Sequence, residues 1–185
     1  MRDHKPKPVR YRLFFALKPS ALIARHTDHF AATLAHNTRR IALEHQHVTL
    51  ALATDHDIYP YAVIKALMRT ATAVRADGFD LPLDRLSIGE RSAALIPSRS
   101  NPRLRALQHA VAAAMKRAGA MFRPEWRFSP HQTLFYCQRL PESRLVPGFC
   151  WRVEEFVLIC SHVGRTRHDI LGRWPLRGSG QYELF

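Results

Sequence analysis

Cysteine is scarce in this 185-residue sequence: Cys137, Cys150 and Cys160 are the whole set, with no C-x-x-C among them. An odd number at such spacing supports neither a disulfide framework nor a zinc knuckle, and buried thiols in a reducing cytoplasm are expected. No run approaches the roughly 20 apolar residues that a membrane span needs. A Gly-rich phosphate loop, a G-x-S-x-G elbow and zinc-ligand spacing are all missing, so three common routes to phosphate or ester chemistry are excluded. Negative charge is also short. Fifteen Asp and Glu face 28 Lys and Arg, for a formal net charge of +13. That balance favours polyanionic partners and salt-dependent binding. It does not single out RNA, since an Arg-rich proteome gives the same skew. Lys is rare beside Arg, and Arg suits bidentate phosphate contacts.

An apolar content of 46% is enough to bury a core, and the length fits one compact domain or two small lobes; the strand-helix-strand pattern, once in each half, favours a single domain, 1–185, of two lobes. Met1 to Pro8 is basic and proline-rich without a secretory apolar segment, so residues 1–9 are expected to be a disordered tail. Arg10 to Leu17 reads as a strand. Tyr11, Leu13, Phe15 and Leu17 make its core face, and Arg12, Phe14 and Ala16 the other. Ser20 caps a helix reaching to about Asn37, with Leu22, Ile23, Phe30 and Leu34 as its apolar stripe. His26 and His29 on that helix read as a solvated face rather than a metal site. Ile58 to Arg75 reads as a second helix carrying Ile64, Leu67, Met68 and Ala71, ended by Asp77-Gly78. Phe79 to Asp84 alternates like an edge strand containing Pro82, and Ala93 to Ile96 is a short strand. A linker, Pro97 to Pro102, precedes a helix over Arg103 to Ala118 that stops at Gly119. Pro147-Gly148 marks a turn, and Phe149–Val153, Phe156–Ser161 and Asp169–Leu176 read as strands. Arg177 to Phe185 is left as a tail.

Two short stretches carry chemistry. His47-Val48-Thr49-Leu50 and His131-Gln132-Thr133-Leu134 each sit in strand context, 84 positions apart. Side chains alternate across a strand, so His47 and Thr49 share one face, and His131 and Thr133 share another. Phe135 shares the His131 face and is a stacking candidate; Tyr136 falls on the opposite face. Two His-Thr pairs facing each other would place two proton-transfer groups and two small donors around one anionic group. His45 shares the His47 face, but no third ligand stands at recognisable spacing, so no metal is expected there.

The doubled H-x-T-L resembles the two-histidine phosphoesterases, specifically the bacterial RNA 2′,3′-cyclic phosphodiesterases once called 2′-5′ RNA ligases. The likeness runs from Arg10 to Leu176. It includes the opening Arg12-Leu13-Phe14-Phe15-Ala16-Leu17, the Phe-x-Pro-His-x-Thr-Leu form from Phe128 to Leu134, and the closing Phe156–Ser161 with Trp174-Pro175-Leu176. The resemblance implies an α+β fold: bilobal, two pseudo-symmetric, mostly antiparallel sheets with flanking helices and a central cleft. It implies metal-independent hydrolysis of RNA 2′,3′-cyclic phosphate ends to a 2′-phosphomonoester, with reversible 2′-5′ ligation when a 5′-hydroxyl replaces water. His47 would be the proton donor and His131 the acceptor, Thr49 and Thr133 would bind phosphate, and Arg12, Phe14 and Phe135 would touch substrate. Neither metal nor cofactor is implied. RNA ends or related nucleotides would be the partners of a monomeric chain that needs no membrane.

The sequence also departs from that family. Ala51-Leu52-Ala53 follows Leu50 where an aromatic-Leu-Gly is usual, and Phe135-Tyr136-Cys137 replaces a smaller residue and an Arg, whose contact Arg139 could take over. These departures bear on substrate preference more than on chemistry. Two other readings stay open: a catalytically silent nucleotide- or RNA-binding module, and a cyclic phosphodiesterase acting on a small nucleotide.

Overall fold

The computed structural model describes residues 9–35, 38–146 and 148–177. The N-terminal tail up to residue 8, the end of the first helix at Asn37, Pro147 of the expected turn and the tail from residue 178 lie outside the described residues. In chain order the elements are β1 (Arg10–Leu17), α1 (Ala21–Ala35), a 3₁₀ turn (Leu43–His45), β2 (Val48–His56), α2 (Tyr61–Ala71), β3 (Phe79–Pro82), β4 (Arg85–Ile88), β5 (Ser92–Ile96), α3 (Pro102–Arg117), β6 (Gln132–Tyr136), β7 (Glu142–Leu145), β8 (Cys150–Val153), β9 (Glu155–Val163) and β10 (Arg167–Pro175). This is the expected α+β class. No helix among the described residues is long and apolar enough to cross a membrane.

The main sheet has eight strands in the order β10-β9-β1-β2-β6-β5-β4-β7, and every pairing is antiparallel. It divides into two four-stranded halves, the two sheets expected from the sequence, joined at one seam. There β2 and β6 share a single residue pair, Val48 with Gln132. Beyond that pair the strands part, and loops supply the missing partners. Arg40 bridges Phe135, with Ile41 N–H donating to the Leu134 carbonyl at 2.8 Å. On the other side Phe122 bridges Ala53, and Thr54 N–H donates to the Met121 carbonyl at 3.0 Å. Main-chain groups that the diverging strands cannot offer each other are thereby satisfied.

A buried polar tie reinforces the seam. Gln132 Nε2 donates to Gln46 Oε1 at 2.9 Å, and Gln46 Nε2 donates to the Ala24 carbonyl of α1 at 3.1 Å. Both glutamines are almost wholly buried, where an unpaired amide costs more than its hydrogen bond returns. The tie draws α1 close to the sheet, which explains a departure from expectation. The buried positions of α1 are the small residues Ala24, Thr27, Ala31 and Ala35, while Leu22 is exposed and Ile23, Phe30 and Leu34 pack only partly. Small side chains let the helix backbone approach; a stripe of Leu and Phe would hold it away.

The core lies between one face of the sheet and the helices, with Leu13, Phe15, Leu17, Val48, Leu50, Leu104, Leu107 and Phe156 among its fully buried members. The two-stranded ribbon β3-β8 closes it with Phe79, Leu81, Trp151 and Val153. Its outer face points to solvent, so Cys150 is exposed; Cys160 is buried as expected and Cys137 is half-buried. Helix α3 matches its reading: Asn101 accepts from Leu104 N–H as cap, and Gly119 at φ 72° ends it. Helix α2 is shorter than expected at both ends: Pro60 keeps the preceding residues out of the helical region, so the helix begins at Tyr61, and it ends at Ala71, well before Asp77-Gly78. The four-residue strands β4 and β7, not anticipated, complete the second half of the sheet.

Replacing Gln132 with Leu strands the buried Gln46 carbonyl oxygen. It is expected to lower unfolding free energy by about 1–3 kcal/mol, read as a reduced urea midpoint at unchanged slope. Replacing both glutamines with Leu should cost less than the sum of the single changes.

Candidate active site

The face of the sheet turned away from the helices carries a cleft of about 660 Å³ across the seam. Arg12, Phe14, His45, His47, Thr49, Trp126, His131, Thr133, Tyr136, His162 and His168 are among its walls. Both His-Thr pairs therefore reach one cavity, as the alternation of each strand predicts. Val48, Leu50, Gln132 and Leu134 take the core side, with exposures of 2% or less. Antiparallel register about the Val48–Gln132 pair sets His47 across from Thr133 and Thr49 across from His131. The two imidazoles occupy one diagonal of a four-residue square, and the two hydroxyls occupy the other.

Each imidazole is anchored the same way. His47 Nδ1–H donates to the His45 carbonyl at 2.6 Å, and His131 Nδ1–H donates to the Ser129 carbonyl at 2.7 Å. A carbonyl can only accept, so the neutral ring carries its proton on Nδ1 and leaves Nε2 as a lone pair available for proton transfer. Burial separates the two rings. His131 is exposed at the rim, whereas His47 is half-buried against Phe14, with ring centroids 5.0 Å apart. Desolvation there pushes the His47 imidazole down to about 4, opposed by its bond to the His45 carbonyl and assisted by nearby Lys18, His131 and His45. At that value His47 is neutral at pH 7.

Arg12 reaches the cleft but its fork is occupied. Nε and Nη2 bind the Asp55 carboxylate at 2.6 and 2.8 Å, and Arg123 adds a contact at 3.3 Å. Those hydrogen bonds hold Asp55 below the usual carboxylate range. Phe14 is 4% exposed and forms, with Ala16, Val157 and Ile159, a small apolar floor beneath the histidines.

Phe135 requires correction. It does not line the cleft; it is fully buried in the core, with Arg139 lying over its ring at 5.6 Å. The cause is a β-bulge. Opposite β5, Thr133 pairs Ala94 and Phe135 pairs Ala93, so Leu134 is the extra residue and the alternation slips by one. Tyr136 is delivered to the cleft instead, 66% exposed. The first motif repeats the device: Thr49 pairs Ala16 and Ala51 pairs Phe15, leaving Leu50 extra, so that Leu52 and not Ala51 faces the cleft. Each motif leucine is thus the bulged residue of its strand. Trp126, His162 and His168 are further cleft residues that the sequence reading missed. Trp126 lies in a loop with no period to betray it, and His162 and His168 sit near the ends of β9 and β10, where nothing local marks the cleft side.

Five of the chain's 11 histidines line the cavity, and no carboxylate does among the described residues. No three His, Cys, Asp or Glu side chains there are grouped to hold a metal ion. Such a wall offers nitrogen donors to an anion and sets no carboxylate against it.

A sheet of this topology bearing a doubled His-x-Thr across one cleft defines a two-histidine phosphoesterase. The sequence matches the 2′-5′ RNA ligase superfamily over residues 19–165, and the chain belongs to that family. Among solved structures it is similar to Escherichia coli LigT in complex with 3′-AMP, at 28% identity and a TM-score of 0.75, over 90% of this chain and 98% of LigT. A structure described as a phosphoesterase matches at 29% identity and a TM-score of 0.73, over 89% and 97% of the two chains. A Thermus thermophilus protein, 19% identical with a TM-score of 0.67 over 91% and 99%, shares the fold. No curated protein matches the sequence.

The bulge gives opposite expectations for two adjacent aromatics. Phe135→Ala should cost about 3–5 kcal/mol of stability, whereas Tyr136→Ala should leave the melting temperature nearly unchanged and weaken oligonucleotide binding roughly tenfold. The depressed His47 and His168 imidazoles, both near 4, make stability fall as pH drops from about 6.5 toward 4, because the unfolded chain takes up protons that the folded chain refuses. Melting curves across that window should decline less steeply for His47→Gln than for the native chain.

Proposed function

We propose that this protein hydrolyses the 2′,3′-cyclic phosphate ends of RNA without a metal ion, leaving a 2′-phosphomonoester. The observation that carries the reading is the diagonal square at the seam: two imidazoles, each held through Nδ1 so that Nε2 is left for proton transfer, and two hydroxyls on the other corners, all lining one cleft. In-line displacement at phosphorus needs a base on the entering side and an acid on the leaving side, and this diagonal supports both. Water attacks phosphorus and its proton passes to His131. The bond from phosphorus to the 3′ oxygen breaks, and that oxygen takes a proton from His47. Thr49 and Thr133 donate to the non-bridging oxygens, where charge grows in the transition state. With a 5′-hydroxyl in place of water, the same course joins two ends through a 2′-5′ linkage: the 5′ oxygen bonds to phosphorus, its proton passes to His131, and the 3′ oxygen leaves with the proton of His47.

His47 by itself is neutral at pH 7, so a donor role requires the substrate to restore its proton. A phosphodiester anion seated between the threonines does so, since a negative charge within about 4–6 Å favours imidazolium. Substrate binding and protonation of His47 are then one linked event.

RNA is favoured as substrate by the net charge of +13 and by the aromatics at the cleft wall, Trp126 and Tyr136. A second reading, a cyclic phosphodiesterase of small nucleotides, draws support from the LigT complexes with 3′-AMP and ATP. Comparing turnover of a cyclic mononucleotide with that of a cyclic oligonucleotide at rising salt separates them, because only the oligonucleotide reaction should weaken steeply.

Product analysis of an oligonucleotide ending in a 2′,3′-cyclic phosphate, in the presence of EDTA, is the direct test. A 2′-phosphate product is expected. His47→Ala and His131→Ala should each lower turnover at least about 100-fold, and near-native turnover of either variant removes the proposal.

A further inference from the structure

A third histidine stands beside the diagonal pair. His168 lies on β10, opposite Ser161 of β9, and lines the same cleft. Its ring centroid is 4.5 Å from that of His45, 5.7 Å from His47 and 5.6 Å from Phe14. Its Nδ1 differs from those of His47 and His131: it is fully buried and has no hydrogen-bond partner among the described residues. An N–H left in that position would be a buried donor without an acceptor, which folded proteins avoid, whereas a bare lone pair is tolerated more readily. The proton of neutral His168 therefore belongs on Nε2, the reverse of the tautomer that backbone carbonyls impose on His47 and His131. His168 is only half-buried, and with Nδ1 sealed its remaining exposure lies on the other side of the ring, toward the cavity.

We infer that His168 is a substrate-contacting residue of this cleft, a neutral Nε2–H donor to a phosphate oxygen on the His47 side, and not a participant in proton transfer. The inference rests on the two-histidine reading of the site. A donor that stays neutral suits this place. Imidazolium at His168 would put an N–H at the sealed Nδ1 position and a second positive charge next to His47 in its working form. Burial, together with His47, His45 and Lys18, holds the His168 imidazole down to about 4. With Nδ1 sealed against a second proton, the ring keeps its Nε2–H to donate one hydrogen bond, as the threonine hydroxyls do. It adds a third fixed donor to the two on the diagonal.

Long-range ¹⁵N–¹H correlation of the native chain near pH 7 reads the tautomers directly. The proton is expected on Nε2 of His168 and on Nδ1 of His47 and His131; a proton on Nδ1 of His168 overturns the inference. Two substitutions then test the contact. His168→Phe keeps a ring against His45 and Phe14 but deletes the donor, and His168→Gln loses the ring but can place an N–H near the former Nε2. For the cyclic oligonucleotide, kcat/KM should fall roughly tenfold or more in the Phe variant and stay within about threefold of native in the Gln variant. The reverse order, native behaviour in Phe and loss in Gln, would show a packing role and overturn the proposal. Calorimetric titration with 3′-AMP on the folded variants should give the same order of affinities. That titration reads His168 even if the native chain turns over no cyclic phosphate, so failure of the enzymatic reading and failure of this one are told apart.

Discussion

The molecule depends on one backbone pair. Among the described residues Val48 and Gln132 are the sole point at which two four-stranded halves meet as a sheet, and the residues on either side of that pair are the histidines and threonines of the cleft. A wider ladder would have closed the seam and filled the cavity mouth with main chain. No ladder would have left the two motifs to drift. With a single rung the register is set, the strands splay, and the loops at Arg40-Ile41 and Met121-Phe122 take up the freed hydrogen bonds. The Gln46–Gln132 contact beneath the rung ties it to α1 through the Ala24 carbonyl. The geometry of the cleft and the stability of the seam are therefore the same set of contacts seen from two faces of the sheet.

Much of this was legible in the amino-acid order. Alternation identified His47 and Thr49, and His131 and Thr133, as cleft-facing pairs, and placed Leu13, Phe15 and Leu17 inside. Those inferences rest on a period of two, which strands obey wherever no residue is inserted. They failed where one was. Phe135 was assigned to the wrong face because Leu134 bulges, and a bulge is decided by the partner strand, here Ala93 and Ala94 of β5, which local sequence does not reveal. The apolar stripe assigned to α1 failed for a related reason: distance to the sheet is set by a buried amide from another segment, and that distance selects Ala and Thr over Leu22. His168 gave no signal at all, since a histidine near the start of a strand is unremarkable until β10 is docked beside β9 and its ring meets His45 and His47.

Electrostatics divides similar groups into different tasks. All the cleft histidines share one chemistry, yet the carbonyls of His45 and Ser129 protonate two of them on Nδ1, and a sealed pocket leaves the third with its proton on the other nitrogen. His162 donates its Nε2 to Asp169 at 2.8 Å and is thereby tied to the outer wall. Asp55 is itself neutralised by Arg12 and Arg123, so that carboxylate is spent before it can oppose an incoming anion.

The tethers on His47 and His131 end on main-chain oxygens, and this has an evolutionary corollary. The residues that supply those oxygens contribute nothing through their own side chains to the tether, so positions 45 and 129 can drift in sequence while both rings keep their orientation. Natural variation there would be silent with respect to ring posture, whereas a change in the path of the chain two residues ahead of either motif would turn the imidazole away without altering a single residue of the motif itself.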